Sequence, residues 1–94
     1  GDVYKRQYWN QGYGTEAMTL MLKHGFEALN LNRIMLQVYE DNPRAIRCYE
    51  KAGFVHEGRL RQARYWNNKY WDILIMGVLK EEWDSRKENK EKGS

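Results

Sequence analysis

Disulfide chemistry is closed to this chain, because its 94 residues include a single cysteine, Cys48. One thiol can neither staple a small fold nor supply a metal cluster, and it fits a reducing cytosol. No metal site is therefore expected, and cytoplasmic residence is. Proline is as scarce, with only Pro43. No apolar run approaches the ~20 residues that cross a bilayer, and the front shows no signal-peptide pattern. An excess of one charge is also lacking. A net charge of +3 tolerates a phosphorylated ligand without calling for nucleic acid. What is present is globular: 41% hydrophobic and 14% aromatic residues in a length that makes one small domain.

The two ends stand apart from the middle. Gly1 to Gln7 reads GDVYKRQ, the translation of a sequencing-library adapter, so residues 1–7 are expected to be a non-native leader. A natural strand with the same letters is the alternative. On the adapter reading, native sequence begins near Tyr8. At the other end, residues 80–94 carry five basic and five acidic residues around one large apolar side chain, Trp83. Such a stretch buries little and reads as a frayed helix or a tail. The expected division is leader 1–7, partial domain 8–83 and charged disordered tail 84–94.

Between the ends the pattern alternates. Met18, Met21, Leu22, Phe26 and Leu29 mark one face of a helix over Thr15–Leu29. Asn30 tolerates the left-handed stop that follows. Ile34, Leu36 and Val38 alternate with Met35, Gln37 and Tyr39, the period of a strand. Asn42-Pro43 opens a second helix, since asparagine can cap a free amide and proline has none to satisfy. Gly53 ends it. Val55–Trp66 and Lys69–Leu79 flank Asn67-Asn68 as a long hairpin. The expected fold is α/β, a mixed three-stranded sheet with two helices on one face.

The chemistry begins at Trp9-Asn10-Gln11-Gly12-Tyr13-Gly14-Thr15-Glu16-Ala17. Two glycines directly before a helix let backbone approach a ligand and aim free amides outward, an arrangement that favours phosphate. A plain tight turn would use the same residues. No lysine followed by serine or threonine comes after, which disfavours a nucleoside-triphosphatase loop. A dinucleotide-binding reading survives further, because Ala17 can replace its third glycine and Glu40 or Asp41 could meet a ribose.

Asn42, Ala45, Tyr49 and Gly53-Phe54 resemble the second signature of the GNAT N-acetyltransferases, and Gly12 to Ala17 resembles their pyrophosphate loop. Trp9 stands where that family has glutamine or arginine. This departure, with Gly58-Arg59-Leu60-Arg61 and Tyr70 to Gly77, is similar to the branch that acetylates ribosomal-protein N-termini and polyamines. The resemblance runs from Tyr8 to about Trp83 and implies the C-terminal half of a GNAT fold. It implies that Gln11, Gly12, Tyr13, Gly14 and Thr15 hold the pyrophosphate of acetyl-CoA as cosubstrate, and that Asn42 contacts the coenzyme arm or braces the splay of two strands. Residues 34–39 would form the second of those strands. It also implies direct attack by a primary amine in a ternary complex, with Tyr49 protonating the departing thiolate or hydrogen-bonding to it. Neither nucleic acid nor membrane is an implied partner, and a homodimer is compatible.

Each of these residues has a plainer reading. Tyr49 could be a core aromatic with a satisfied hydroxyl. Cys48 points about 100° from Tyr49 around the helix, lacks a nearby histidine and reads as packing. His24 falls on the solvated side, and His56 at a strand start could at most line an acceptor groove. Arg59, Arg61 and Arg64 do not share one face and lack a repeated stacking platform. Trp66, Tyr70 and Trp71 suit cross-strand aromatic pairs. Two rival functions stay open: a coenzyme A-binding but inactive regulatory module, and a small basic interaction module without coenzyme.

These 94 residues alone are expected not to acetylate amines, and to dimerise or aggregate through an uncovered sheet face and an unpaired strand edge. Turnover with acetyl-CoA, together with solution mass, checks this. A monodisperse monomer working at ordinary enzyme rates would contradict it.

Overall fold

The computed structural model describes residues 14–92, with side chains through Arg86. The order is α1 (Thr15–Lys23), a π turn (His24–Ala28), β1 (Arg33–Tyr39), α2 (Pro43–Ala52), β2 (Val55–Trp66), β3 (Lys69–Leu79) and α3 (Lys80–Lys92). The leader 1–7 and the loop residues Gln11, Gly12 and Tyr13 lie outside the described residues.

The sheet runs β1-β3-β2, with β3 in the centre. Its alternation is that of a one-sided strand pair. Ile34, Leu36 and Val38 oppose Val78, Met76 and Leu74 in register, and all six are buried. Against this face pack Met18, Leu22 and Phe26 from the first helical segment and Tyr49 and Ala52 from α2. Both helices therefore cover one side, as expected. The other side shows Met35, Tyr39, Val55 and Leu60 to solvent in the described chain.

Every described pairing is antiparallel, where the helix–strand alternation leads to an expectation of a mixed sheet. The connection through α2 sets β1 and β2 parallel, but the hairpin returns β3 between them. The two parallel strands are thereby separated by an antiparallel one.

The turns follow the sequence closely. Asn67 and Asn68 both take positive φ, 55° and 61°, the pair of values that a two-residue I′ hairpin requires. Asn30 adopts φ 55° after the first helical segment. Gly53 closes α2 at φ 108°, a conformation that an L side chain rarely takes. Two features were not legible. The segment expected as one α-helix over Thr15–Leu29 widens to a π turn at His24–Ala28, which buries Gly25 and Phe26 together. Gly25 lies so close to β1 that a Cβ there would meet Ile34 Cδ1 at 2.6 Å. The second feature is in β2, whose register slips at Glu57 and again between Leu60 and Arg64, with Gln62 at φ 50°.

The segment from residue 84, read as a tail, continues a helix that runs to Lys92. Two anchors hold its first turns. Trp83 is 8% exposed, stacks on Phe26 with ring centroids 6.1 Å apart and donates Nε1–H to Glu27 at 3.0 Å. Arg86 donates to the carbonyls of Ala52 and Lys51 at the end of α2, where the helix dipole favours a cation. Its guanidinium occupies the space that a side chain at Gly53 would need. A balanced charge pattern hides this docking because one tryptophan and one arginine carry it.

Trp83→Ala should lower stability by about 3–5 kcal/mol, the range for truncating a buried large aromatic. Urea unfolding measures it, and a loss below about 1 kcal/mol would mean that α3 is not docked.

Candidate functional site

Gly14 precedes α1 in an extended conformation, φ −85° and ψ −169°, and makes no side-chain cap. Met18 N–H donates to the Gly14 carbonyl at 3.2 Å, so the first helical hydrogen bond starts there. Helix geometry leaves the amides of Thr15, Glu16 and Ala17 without partners inside the helix. Nothing among the described residues requires glycine at position 14. Its φ suits any residue, and a Cβ there would meet no described atom within 4 Å. Free amides, the positive end of a helix dipole and a missing side chain are the donor set that a phosphate fits.

Thr15 ties this end of α1 to α2. Its hydroxyl lies 3.6 Å from Cys48 Sγ, and Cys48 is part-buried beside the core. The contact places the start of α1 one residue from Tyr49. Cys48 therefore packs as expected.

Tyr49 is 9% exposed and meets the Phe54 ring edge-to-face, with centroids 5.8 Å apart. Burial pushes its phenol above the ordinary 10.0, with the neighbouring Cys48 adding to the effect. The group is thus a neutral O–H donor across the neutral range. The ring is the core aromatic of the plainer reading.

Asn42 caps α2. Its Oδ1 accepts from Ala45 N–H at 3.3 Å, and Pro43 takes the first helical position. The side-chain oxygen is thereby engaged in starting the helix that carries Tyr49.

The remaining polar residues form structure that sequence reading missed. Arg59 donates to Asp72 at 2.7 Å and to Glu40 at 3.1 Å. Asp72 also accepts the Gln62 amide at 2.8 Å, and Glu40 accepts the Asp72 amide at 3.1 Å. The cluster pins the β2 irregularity to the end of β1. The Gln62 amide and then Arg59 hold the Asp72 carboxyl below its ordinary 3.8. Glu40, which could have met a ribose, is committed to β3. No spacing rule predicts this, because the residues are 10 to 32 apart in sequence. His56 pairs with Glu50 at 2.7 Å, and His24 is exposed. At the hairpin tip Tyr70 makes a cross-strand aromatic pair, edge-to-face at 5.0 Å, with Tyr65 and not with one of the expected tryptophans. Among the described residues no group of three or more metal-ligating side chains occurs, and no helix is long and apolar enough to cross a membrane.

Residues 1–55 match the acetyltransferase (GNAT) domain family. The chain belongs to the GNAT acetyltransferases. An uncharacterized N-acetyltransferase, YnaD, of Bacillus subtilis is 33% identical over 89% of this chain and 49% of its own. A spermidine N(1)-acetyltransferase of Vibrio cholerae is 33% identical over 87% of this chain and 47% of its own. The chain thus spans about half the length of these relatives. Among solved structures, a variant of the spermidine N-acetyltransferase SpeG from Vibrio cholerae superposes with a TM-score of 0.73 at 34% identity, covering 82% of this chain and 45% of that one. A GNAT-family acetyltransferase from Bacillus anthracis gives 0.67 at 33% identity, covering 80% and 45%. The polyamine branch suggested by the residues is therefore represented among the relatives.

The raised Tyr49 pKa has a direct consequence. Burial penalises the phenolate, so the stability it contributes is present below the ordinary value and is lost as pH rises through the raised one. An absorbance titration of tyrosinate, wild type minus Tyr49→Phe, should show this residue ionising only above 10.0. Ionisation near neutrality would refute the burial argument.

Proposed function

We propose that the whole protein transfers the acetyl group of acetyl-CoA to a primary amine, by direct attack in a ternary complex. The contact between Thr15 and Cys48 carries the reading, because it joins an anion-favouring helix start to the residue beside a protonated, buried tyrosine. The relatives that act on spermidine make a polyamine the first acceptor to test, with protein N-termini and other small amines next.

The cosubstrate supplies the acyl group already activated as a thioester, so the chain's work is to bind, orient and handle a proton. The amides at Thr15, Glu16 and Ala17, with the backbone of Gln11 to Gly14, offer donors to a pyrophosphate. The open space at Gly14 lets that group come near the backbone. Asn42, in capping α2, fixes the helix on which Tyr49 rides. Tyr49 then holds a proton at Oη for the departing sulfur. Burial keeps the phenol protonated at neutral pH. Arg86 and Gly53 support the other end of the same helix.

Two variants separate binding from chemistry. Gly14→Val keeps an allowed backbone but fills the approach space, and should raise the KM for acetyl-CoA about ten-fold or more, ~1.4 kcal/mol per decade. An unchanged KM would reduce this loop to a turn.

Tyr49→Phe keeps the ring and removes the proton, so kcat should fall by about two orders of magnitude, with little change in coenzyme binding. A kcat within about two-fold of wild type would assign the proton to another group. Coenzyme binding without turnover across an amine panel would instead convert the reading to an inactive binding module.

A further inference from the structure

The hairpin holds one guanidinium on aromatic rings and not on carboxylates. Arg64 Cζ lies 3.8 Å from the centre of the Tyr39 ring and 5.4 Å from that of Trp66. Arg64 is half-buried, and among the described residues it forms no ion pair. Arg33 and Arg59, by contrast, are paired with Glu57 and with Glu40 and Asp72. The register explains the difference. Arg64 faces Trp71 and Tyr39 faces Ile73, so both stand on the side of the sheet opposite the buried pair Val38 and Leu74. Asp72 alternates with Trp71 and Ile73 and turns to the other side, where it binds Arg59. On the Arg64 side the next cation is Lys69, opposite Trp66 in register, with Nζ 4.3 Å over the Trp71 ring. No paired position on that side carries a carboxylate between Ile75 and the hairpin tip. Asp41, in the turn after β1, is exposed and makes no ion pair with Arg64 among the described residues.

Tyr39 lies where the candidate site begins. Its carbonyl accepts Asn42 N–H at 3.1 Å, and Asn42 caps the helix that carries Tyr49. The helices cover the other side of β1. An amine bound for the departing sulfur therefore arrives past the end of β1, from the side that Tyr39 and Arg64 line. We infer that Arg64, seated on Tyr39 and Trp66, receives a carboxylate of the acceptor and so selects primary amines that carry an acid over polycations. The inference rests on the acetyl-transfer reading above and narrows its acceptor class, away from the polyamine that the relatives suggest. A guanidinium offers planar N–H donors that meet a carboxylate in pairs, and a ring beneath it holds the charge in place without using them. Holding it in advance removes part of the ordering cost of binding. The same charge, with Lys69 beside it, repels the further ammonium groups of a polyamine.

Acetylation kinetics of the whole protein test this with two matched pairs of acceptors and spermidine. One pair is an amidated tetrapeptide, Ser-Glu-Ala-Ala or Ser-Gln-Ala-Ala, and the other is γ-aminobutyrate and its amide. Wild type should show a kcat/KM about five-fold or more higher for the acid member of at least one pair, and the preference should shrink as salt is raised. Which pair shows it tells a protein N-terminus from a small amino acid. In Arg64→Gln the preference should fall to within about two-fold. In Arg64→Glu it should reverse, with spermidine gaining on both acids. Tyr39→Leu keeps the charge but removes its seat, and should give an intermediate ratio. Each ratio is taken within one enzyme preparation, so any loss of folded protein cancels. A wild type that distinguishes neither pair, one that prefers spermidine to all four, or an Arg64→Gln that keeps the full preference would overturn the inference and leave acetyl transfer standing. No turnover with any of these acceptors would overturn both.

Discussion

The fold depends on the apolar row that β1 and the second half of β3 share on one face of the sheet. Ile34, Leu36 and Val38 on β1 meet Val78, Met76 and Leu74 on β3, and the helices bury Met18, Leu22, Phe26, Tyr49 and Ala52 with this row. Side chains alternate along a strand, so a slip of one residue between β1 and β3 would turn that row to the opposite face. Once the register is set, α1 and α2 must lie side by side. Their adjacency is what places Thr15 against Cys48. That contact is a by-product of core packing.

Tyr49 shows how the two demands share a residue. Its ring belongs to the core, where Phe54 meets it edge-on, and the same burial raises the phenol's pKa. The raised value keeps the phenol protonated and makes it a weaker acid than an exposed tyrosine. The supports of α2 are also divided between its ends. Asn42 and Pro43 set the start, while Gly53 and Arg86 set the finish. Because Arg86 comes from α3, the last segment of the chain holds the helix that carries the proposed acid.

Trp83 and Arg86, read as part of a frayed helix or tail, and Arg59 turn out to be brackets. Arg59 joins Glu40 and Asp72 across all three strands, and Trp83 closes the core over Phe26. In each case the partner is far away in sequence. A count of charges or a local hydrophobic period carries no information about such pairs, because both are sums over neighbours along the chain.

Composition and spacing by themselves determined the element order, the hairpin with its Asn67-Asn68 turn, the stops at Asn30 and Gly53 and the cap at Asn42. These are local matters of backbone conformation, decided by which residues tolerate positive φ or can offer a side-chain acceptor. The two family signatures were legible for the same reason, being short and contiguous. Only the tertiary structure decided that β3 sits between β1 and β2, that the first helical segment widens at Gly25 where Ile34 presses on it, and that α3 docks through Trp83 and Arg86. It alone also showed that Arg33 and Arg59 are held in ion pairs. Strand order, close approach and ion pairing are properties of distance in space, and a one-dimensional pattern fixes them only where the chain is short between the partners.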